Sequence, residues 1–425
     1  MSLFKNHIEH LVQVTTAALA HAGYDGVWIY SGHPTNNFLD DMAPKHSINP
    51  HFKWWVPLAD VVSSVLHFKP GHKPVVYLNQ PADFWHKIID NSEGKWAKYF
   101  DVRVVGHYSE LPNFKGEKNH AWIGSSELHP LDEADTNPTQ LINFLHFSRI
   151  QKTEYEIHCL TQANQKALKG HDAAKKAFYA GQSEYQIHMA YLQACDHNEH
   201  HMPYGNIVAL NENPSVLHYQ YQSREIIPKD QLKSFLIDAG ANYRGYAADI
   251  TRTYAFQDNA YQAMINSLDE KQQKLCEKAV VGQDYVALHR QAHLNISEVL
   301  SEFGVFNCTA ETAVESGLSQ TFFPHGLGHY LGLQVHDVSG HVVDHMGTVK
   351  SPPSEYPFLR LTDTLRENAV VTIEPGIYFI PMLLKEISGH KDINWQQVDE
   401  YLPYGGIRIE DNVVVKNNDS INLSR

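Results

Sequence analysis

Cysteine is scarce. The 425 residues hold four, Cys159, Cys195, Cys276 and Cys308, far apart and with no C-x-x-C pair. That spacing suits reduced thiols in a cytoplasmic protein better than a disulfide framework or a thiolate zinc site. Runs of basic residues are lacking as well. The 34 Lys and Arg stand against 48 Asp and Glu, for a formal net charge of −14, which argues against nucleic acid as the main partner. No apolar stretch approaches a membrane span, and the opening MSLFKNHIEHLVQVTT carries polar residues every few positions, unlike a signal peptide. Low-complexity segments and short repeats are also missing. What remains, with 43% hydrophobic and 19% charged residues, is the composition of a globular cytoplasmic enzyme. Its length predicts two domains.

Histidine is plentiful, 28 in all, so a histidine by itself carries little weight. Residues 2–22 show helical spacing of Leu3, Ile8, Leu11, Val12 and Leu19. GVWIYSG (26–32), PVVYLNQ (74–80) and VRVVGHY (102–108) read as strands. Strands alternating with helices predict a small α/β domain over 1–150, ending at or just after the polar SSELHPLDEADTNPTQ (125–140). Over 151–425 the texture changes. Thr153-Glu154-Tyr155-Glu156 and Ser183-Glu184-Tyr185-Gln186 are capping-box patterns that open two helices. Short β-rich segments follow, and the second domain reads as α+β with antiparallel strands.

Those strands carry acids. Asp238 follows the apolar Phe235-Leu236-Ile237, and Asp249 comes eleven residues later, beyond the turn-like Asn242-Tyr243-Arg244-Gly245. A hairpin there would set the two carboxylates side by side. Glu374 ends the apolar VVTI before a Pro-Gly turn, and Glu410 sits between Ile409 and the next strand. Burying an unpaired carboxylate costs roughly several kcal/mol. One such acid is explained by an arginine or a backbone cap, but four in one domain call for a shared cause, and divalent cations supply it. A carboxylate-rich set completed by one imidazole favours ions such as Mn²⁺. FFPHGLGHYLGLQVHDV (322–338) offers three imidazoles, His325, His329 and His336. The residues alone leave open which of them serves.

The sequence of D-x10-D, HGLGH, VHD, IEPG and GGIRIED resembles the M24 "pita-bread" metallopeptidases, most closely the bacterial Xaa-Pro dipeptidases (prolidases), including those of the organophosphorus acid anhydrolase type. FLDDMAP (38–44), PADFWHK (81–87) and PPSEYPFLRLTDTL (352–365) extend the resemblance over the whole chain. It implies a small α/β N-terminal domain ahead of a pita-bread catalytic domain. It also implies two divalent metal ions, Mn²⁺ first with Co²⁺ or Zn²⁺ as alternatives. Asp238, Asp249, His329, Glu374 and Glu410 become the ligands, Asp249 and Glu410 bridging both ions, Asp238 holding one and His329 with Glu374 the other. His336 goes to the tetrahedral intermediate, His325 to the pocket, and His218 to the reacting carbonyl or leaving group. Arg408 orients the acids, and Arg360 grips the substrate carboxylate. Tyr204 lines the pocket, while HNEHH (197–201) is read as a loop rather than a zinc site, its spacing fitting no H-E-x-x-H helix. In a homodimer, Asp40, Asp41 or Trp85 would reach the partner's pocket.

The implied reaction is hydrolysis of Xaa-Pro dipeptides. A water activated between two cations attacks the carbonyl, and Glu374 carries its proton to the leaving nitrogen. Phosphotriester hydrolysis is expected as a side activity of the same pocket. Two alternatives stand beside this reading: cleavage of longer Xaa-Pro peptides in the manner of aminopeptidase P, and a pita-bread binding module without activity. TLREN (364–368) stands where a Gly- or Pro-like turn is expected.

Overall fold

The computed structural model describes residues 3–44, 46–58, 61–84, 94–111, 114, 119–125 and 135–425. They fall into two compact units. One comprises Met1–Arg149, Thr153–Glu156 and Val343–Thr348, the other Ile150–Lys152, Ile157–Val342 and Val349–Arg425.

The first unit opens with α1 (Leu3–Ala22), whose buried Phe4, Ile8, Leu11, Thr15, Ala18 and Leu19 recur at three- and four-residue steps and define one face. After β1 (Gly26–Tyr30), α2 (Pro50–Trp55) starts on Asn49, whose side chain accepts from the His51 N–H, with Pro50 at the first helical position. Then come β2 (Val65–Phe68), β3 (Val75–Asn79), β4 (Asp101–Val105), β5 (His120–Ile123) and α3 (Thr139–Ser148). The five strands form one sheet in the order β4-β3-β2-β1-β5. Pairs β1/β5 and β3/β4 are parallel, the other two antiparallel. Trp28, Tyr30, Val65, Tyr77, Phe114 and Trp122 build its core. Edge strand β4 carries the exposed pair Asp101 and Arg103, which discourages further pairing.

The second unit holds most of α4 (Glu154–Tyr179), then α5 (Glu184–Cys195), β6 (Ile207–Leu210) and β7 (Ser234–Asp238). The chain continues through β8 (Asn242–Tyr243), β9 (Tyr246–Ala247), β10 (Thr251–Ala255), α6 (Ala260–Glu277), α7 (Tyr285–Glu302), α8 (Ala310–Glu315) and α9 (Leu318–Phe322). It ends with β11 (Val370–Ile373), β12 (Gly376–Tyr378), α10 (Pro381–Glu386), α11 (Trp395–Tyr401), β13 (Gly406–Arg408), β14 (Asp411–Val415) and β15 (Ser420–Asn422). Both capping boxes form. Thr153 and Glu156 exchange side-chain and backbone bonds, as do Ser183 and Gln186. Two antiparallel sheets, β10-β7-β6 and β11-β14-β15, are accompanied by the pairs β12-β13 and β8-β9. Phe178, Ile187, Tyr191, Val208, Phe235 and Ile237 pack α4 and α5 onto the first of these sheets.

Two isolated bridges bring the acid-bearing segments together. Thr251 pairs with Glu410, and Tyr330, next to His329, pairs with Val371 of β11. At the TLREN segment the turn is made by Asn368, which takes φ 61°; asparagine tolerates the left-handed region expected there of glycine.

Candidate metal centre

β7 and β10 pair with Asp238 opposite Thr251, and the ladder continues through Ala239 N–H to Ile250 O and Ala248 N–H to Ala241 O. The turn between them uses Arg244 at φ 53° and Gly245 at φ 90°, the two successive positive values of a tight hairpin turn. This hairpin sets Asp238 and Asp249 side by side. The Tyr204 hydroxyl binds both, 2.8 Å from Asp238 Oδ1 and 2.6 Å from Asp249 Oδ1. Tyr204 is therefore placed among the acids rather than only against the pocket wall.

Glu410 is 2% exposed and lies in the break between β13 and β14. Thr251 Oγ donates to its Oε2 at 2.6 Å and accepts from Arg408 Nε at 3.2 Å. The buried Arg408 guanidinium also meets Asp238 Oδ2 at 2.8 Å and Tyr378 OH at 2.9 Å. Asn412 holds the backbone of Asp249, accepting from its N–H at 3.0 Å and donating to its carbonyl. Thr251, Thr372, Tyr378 and Asn412 are contributors that the sequence reading passes over. Alternation along a strand was the available signal, since Thr251 lies two residues from Asp249 and Thr372 two from Glu374.

HGLGH folds over the edge of β11. A Cβ on Gly328 would stand 2.2 Å from Thr372 O and 2.5 Å from Tyr285 OH, at a φ of 156°, so only glycine lets the two backbones meet. Thr372 Oγ then accepts from His329 N–H at 3.0 Å and lies 3.2 Å from Glu374 Oε1. The three histidines separate by their bonds. His329 Nδ1 lies 2.9 Å from Tyr330 O, and a carbonyl only accepts, so Nδ1 carries a proton and Nε2 faces Asp249 Oδ2 at 3.5 Å and Glu374 Oε1 at 3.6 Å. His325 has both nitrogens engaged, Nδ1 with Gly326 O and Nε2 with Tyr378 OH, each at 2.8 Å. His336 is exposed, with its ring centroid 4.4 Å from that of His329 and nearly perpendicular to it.

The other proposed substrate residues scatter more. His218 is exposed in a turn after the 3-10 segment Asn213–Ser215. It lies within electrostatic reach of His325 and His336. Arg360 is exposed and acts likewise on His336. HNEHH is a loop whose His197 accepts from Asn242 N–H. Asp40 and Asp41 are exposed in the first unit, and Trp85 lies outside the described residues.

Four carboxylates and an imidazole thus face one another with too few positive charges. Burial raises the Asp238 carboxyl even with Arg408 beside it. Burial, followed by repulsion from Asp249, Glu374 and Asp238, pushes Glu410 well above the usual carboxylate range. Glu374, buried and repelled by Asp249 and Asp238 against the pull of His329, rises to about 7. Burial acts against Asp249 too, but bonds from His329 and Tyr204 bring it below its ordinary value. Burial would also lower His329, yet Asp249 and Glu374 raise it. His336 goes the other way, to about 4, through desolvation and the charges of His329 and Arg360. One donor atom from each of Asp249, His329 and Glu410 lies within 4.8 Å of the other two. A ring nitrogen facing two carboxylate oxygens, as His329 Nε2 does, needs a proton or a cation between them. The donors suit a hard or borderline divalent ion.

Residues 158–417 match the family model for metallopeptidase family M24, and the chain belongs to that family. Residues 2–147 match the model described as the N-terminal domain of Xaa-Pro dipeptidase. Relatives similar over the full length include proteins named Xaa-Pro dipeptidase from Colwellia psychrerythraea and Stenotrophomonas maltophilia. Each is 43% identical, with 100% of this chain and 97% of the relative covered. Among solved structures, proline aminopeptidase P II from Yersinia pestis aligns at a TM-score of 0.72 and 21% identity, over 100% of this chain and 96% of its own; this likeness concerns the fold. Among the described residues no helix is long and apolar enough to cross a membrane.

Proposed function

We propose that the protein is an Xaa-Pro dipeptidase, a metal-dependent hydrolase that cleaves the bond before a C-terminal proline. The observation that carries this reading is the convergence of Asp238, Asp249, His329, Glu374 and Glu410 in a chain similar from end to end to proteins of that name. These five residues would hold two divalent ions, Mn²⁺ in first place and Co²⁺ or Zn²⁺ as alternatives. Asp249 and Glu410 would be shared between the ions, Asp238 would serve one, and His329 with Glu374 the other. When bound, such ions polarise a carbonyl and lower the pKa of water towards neutrality.

The chain's own residues supply the remainder. Glu374 takes a proton from the attacking water and delivers it to the prolyl nitrogen as the C–N bond breaks. His336, neutral at pH 7 because its pKa is held to about 4, donates an N–H to the oxygen that gains charge. His218 faces the same reacting group, and His325 with Tyr204 completes the pocket. Arg408 fixes Asp238. An Xaa-Pro bond has no N–H with which to pair with a strand, so recognition falls to the ring and the free carboxylate. Arg360 clamps that carboxylate and thereby confines cleavage to dipeptides.

The domains in this reading are 1–150 and 151–425, and the protein works in the cytoplasm as a homodimer. Phe38 and Leu39, 92% and 91% exposed beside Asp40 and Asp41, support a partner subunit covering that segment, with Asp41 and Trp85 reaching the partner's pocket. The test is hydrolysis of Ala-Pro and Ala-Pro-Ala by chelator-stripped protein with and without Mn²⁺. Cleavage of the dipeptide alone, and only with metal, is expected. Cleavage of the tripeptide would move the reading to aminopeptidase P chemistry, and cleavage of neither by metal-loaded protein would favour a binding module.

A further inference from the structure

The seven residues after His329 leave the metal cluster and return to it, and something must fix where they return. The loop closes through Asp337 N–H to Tyr330 O at 2.9 Å. One residue before that closure, His336 stands with its ring centroid 4.4 Å from that of His329. Asp337 itself turns inward. Its Oδ2 meets Lys152 Nζ at 2.9 Å, with both side chains only 2% exposed. Lys152 precedes Asp337 by 185 positions and is pinned by its own backbone, its N–H donating to Asn368 O at 3.0 Å. The loop backbone lies directly against this ion pair. A Cβ on Gly332 would fall 2.2 Å from Asp337 Oδ2 and 3.1 Å from Lys152 Cε. Gly332 O in turn accepts from Ala247 N–H, in the hairpin that carries Asp238 and Asp249.

A buried ion pair gains little over apolar residues of the same shape; what it imposes is one geometry. Here that geometry is imposed on the residue next to His336. We propose that Lys152, acting through Asp337, is a positioning residue that sets the place of the His336 imidazole against the metal cluster. Gly332 is glycine so that the pair can lie under the loop. The inference rests on the role given to His336 under Proposed function.

The test is a double-mutant cycle on the Mn²⁺-loaded enzyme with Ala-Pro as substrate. Lys152→Met is expected to lower kcat by a factor on the order of 100, the scale of a 1 Å misplacement, while metal content per chain stays at the wild-type level. In a His336→Ala background the same change is expected to cost almost nothing further, because the group it positions is gone. Lys152→Met also removes the cation facing a buried carboxylate and is expected to lower Tm. The double variant Lys152→Met with Asp337→Leu is expected to recover Tm and keep the low kcat. Gly332→Ala is expected to reproduce the loss of kcat. Recovery of both Tm and kcat in the double variant would make the pair structural only and overturn the proposal. So would an equal loss of kcat with and without His336, which leaves the role of His336 intact. A His336→Ala enzyme with normal kcat would remove that role and this inference together.

Discussion

Glu374 illustrates what the cluster costs the fold when no cation is bound. Its carboxyl moves from an ordinary 4.5 to about 7 in the folded chain, with burial the largest cause. At about 1.36 kcal/mol per pKa unit, the ionised fold gives up roughly 3 kcal/mol on this group alone. The sign follows from a raised folded pKa on an acid. Below pH 4.5 both states are protonated and nothing is lost. Between pH 4.5 and about 7 the unfolded chain ionises first and stability falls, and above pH 7 the loss is complete. Glu374→Gln has no such titration, and it also removes one of the charges that repel Glu410. In chelator, the variant is therefore expected to gain roughly 3 kcal/mol on wild type as pH rises from 4.5 to 8, while losing activity. Using the variant as the reference cancels the buried histidines, such as His293 at about 4, that titrate in the same range. The assay is urea unfolding of both proteins at several pH values in EDTA. A stability difference that stays flat with pH, or that favours wild type at pH 8, would refute the electrostatic reasoning.

Three further outcomes are expected. Thr251→Val keeps shape but removes the hydroxyl between Glu410 and Arg408; metal affinity, measured by titration with Mn²⁺, should fall about 10- to 100-fold. Arg360→Ala should raise KM for Ala-Pro roughly 10- to 100-fold, the value of a charged hydrogen-bonded contact, and leave metal content unchanged. His336→Ala should lower kcat about 10²- to 10³-fold with both ions retained. A metal-free His336→Ala protein would mean that the histidine roles are exchanged.

The parts of this site written in the sequence are those set by local pattern. The apolar run Phe235-Leu236-Ile237 and the turn-like Asn242-Tyr243-Arg244-Gly245 foretell a hairpin, and with it the meeting of Asp238 and Asp249. Acids ending apolar strands mark Glu374 and Glu410. Choosing His329 among three histidines was not possible from spacing, because the choice depends on which ring nitrogens are already occupied. Tyr330 O and Tyr378 OH decide it, and Tyr378 lies 53 positions from His325. The same holds for Thr251 with Glu410, and for Lys152 with Asp337, pairs that only tertiary folding brings together. In the first unit, β2 and β5 escaped the reading because each is four residues long and nearly all buried, without the alternation that signals a strand.

The most direct test of the account is the metal content and Ala-Pro turnover of Asp249→Asn beside wild type, each reloaded with Mn²⁺ and freed of excess ion. Asp249 is 5% exposed and faces His329, Tyr204 and Glu410. If its carboxylate is shared by two ions, wild type binds two per chain, and the variant loses bound metal and turnover together. An Asp249→Asn protein that keeps two ions and cleaves Ala-Pro at near the wild-type rate would contradict the account.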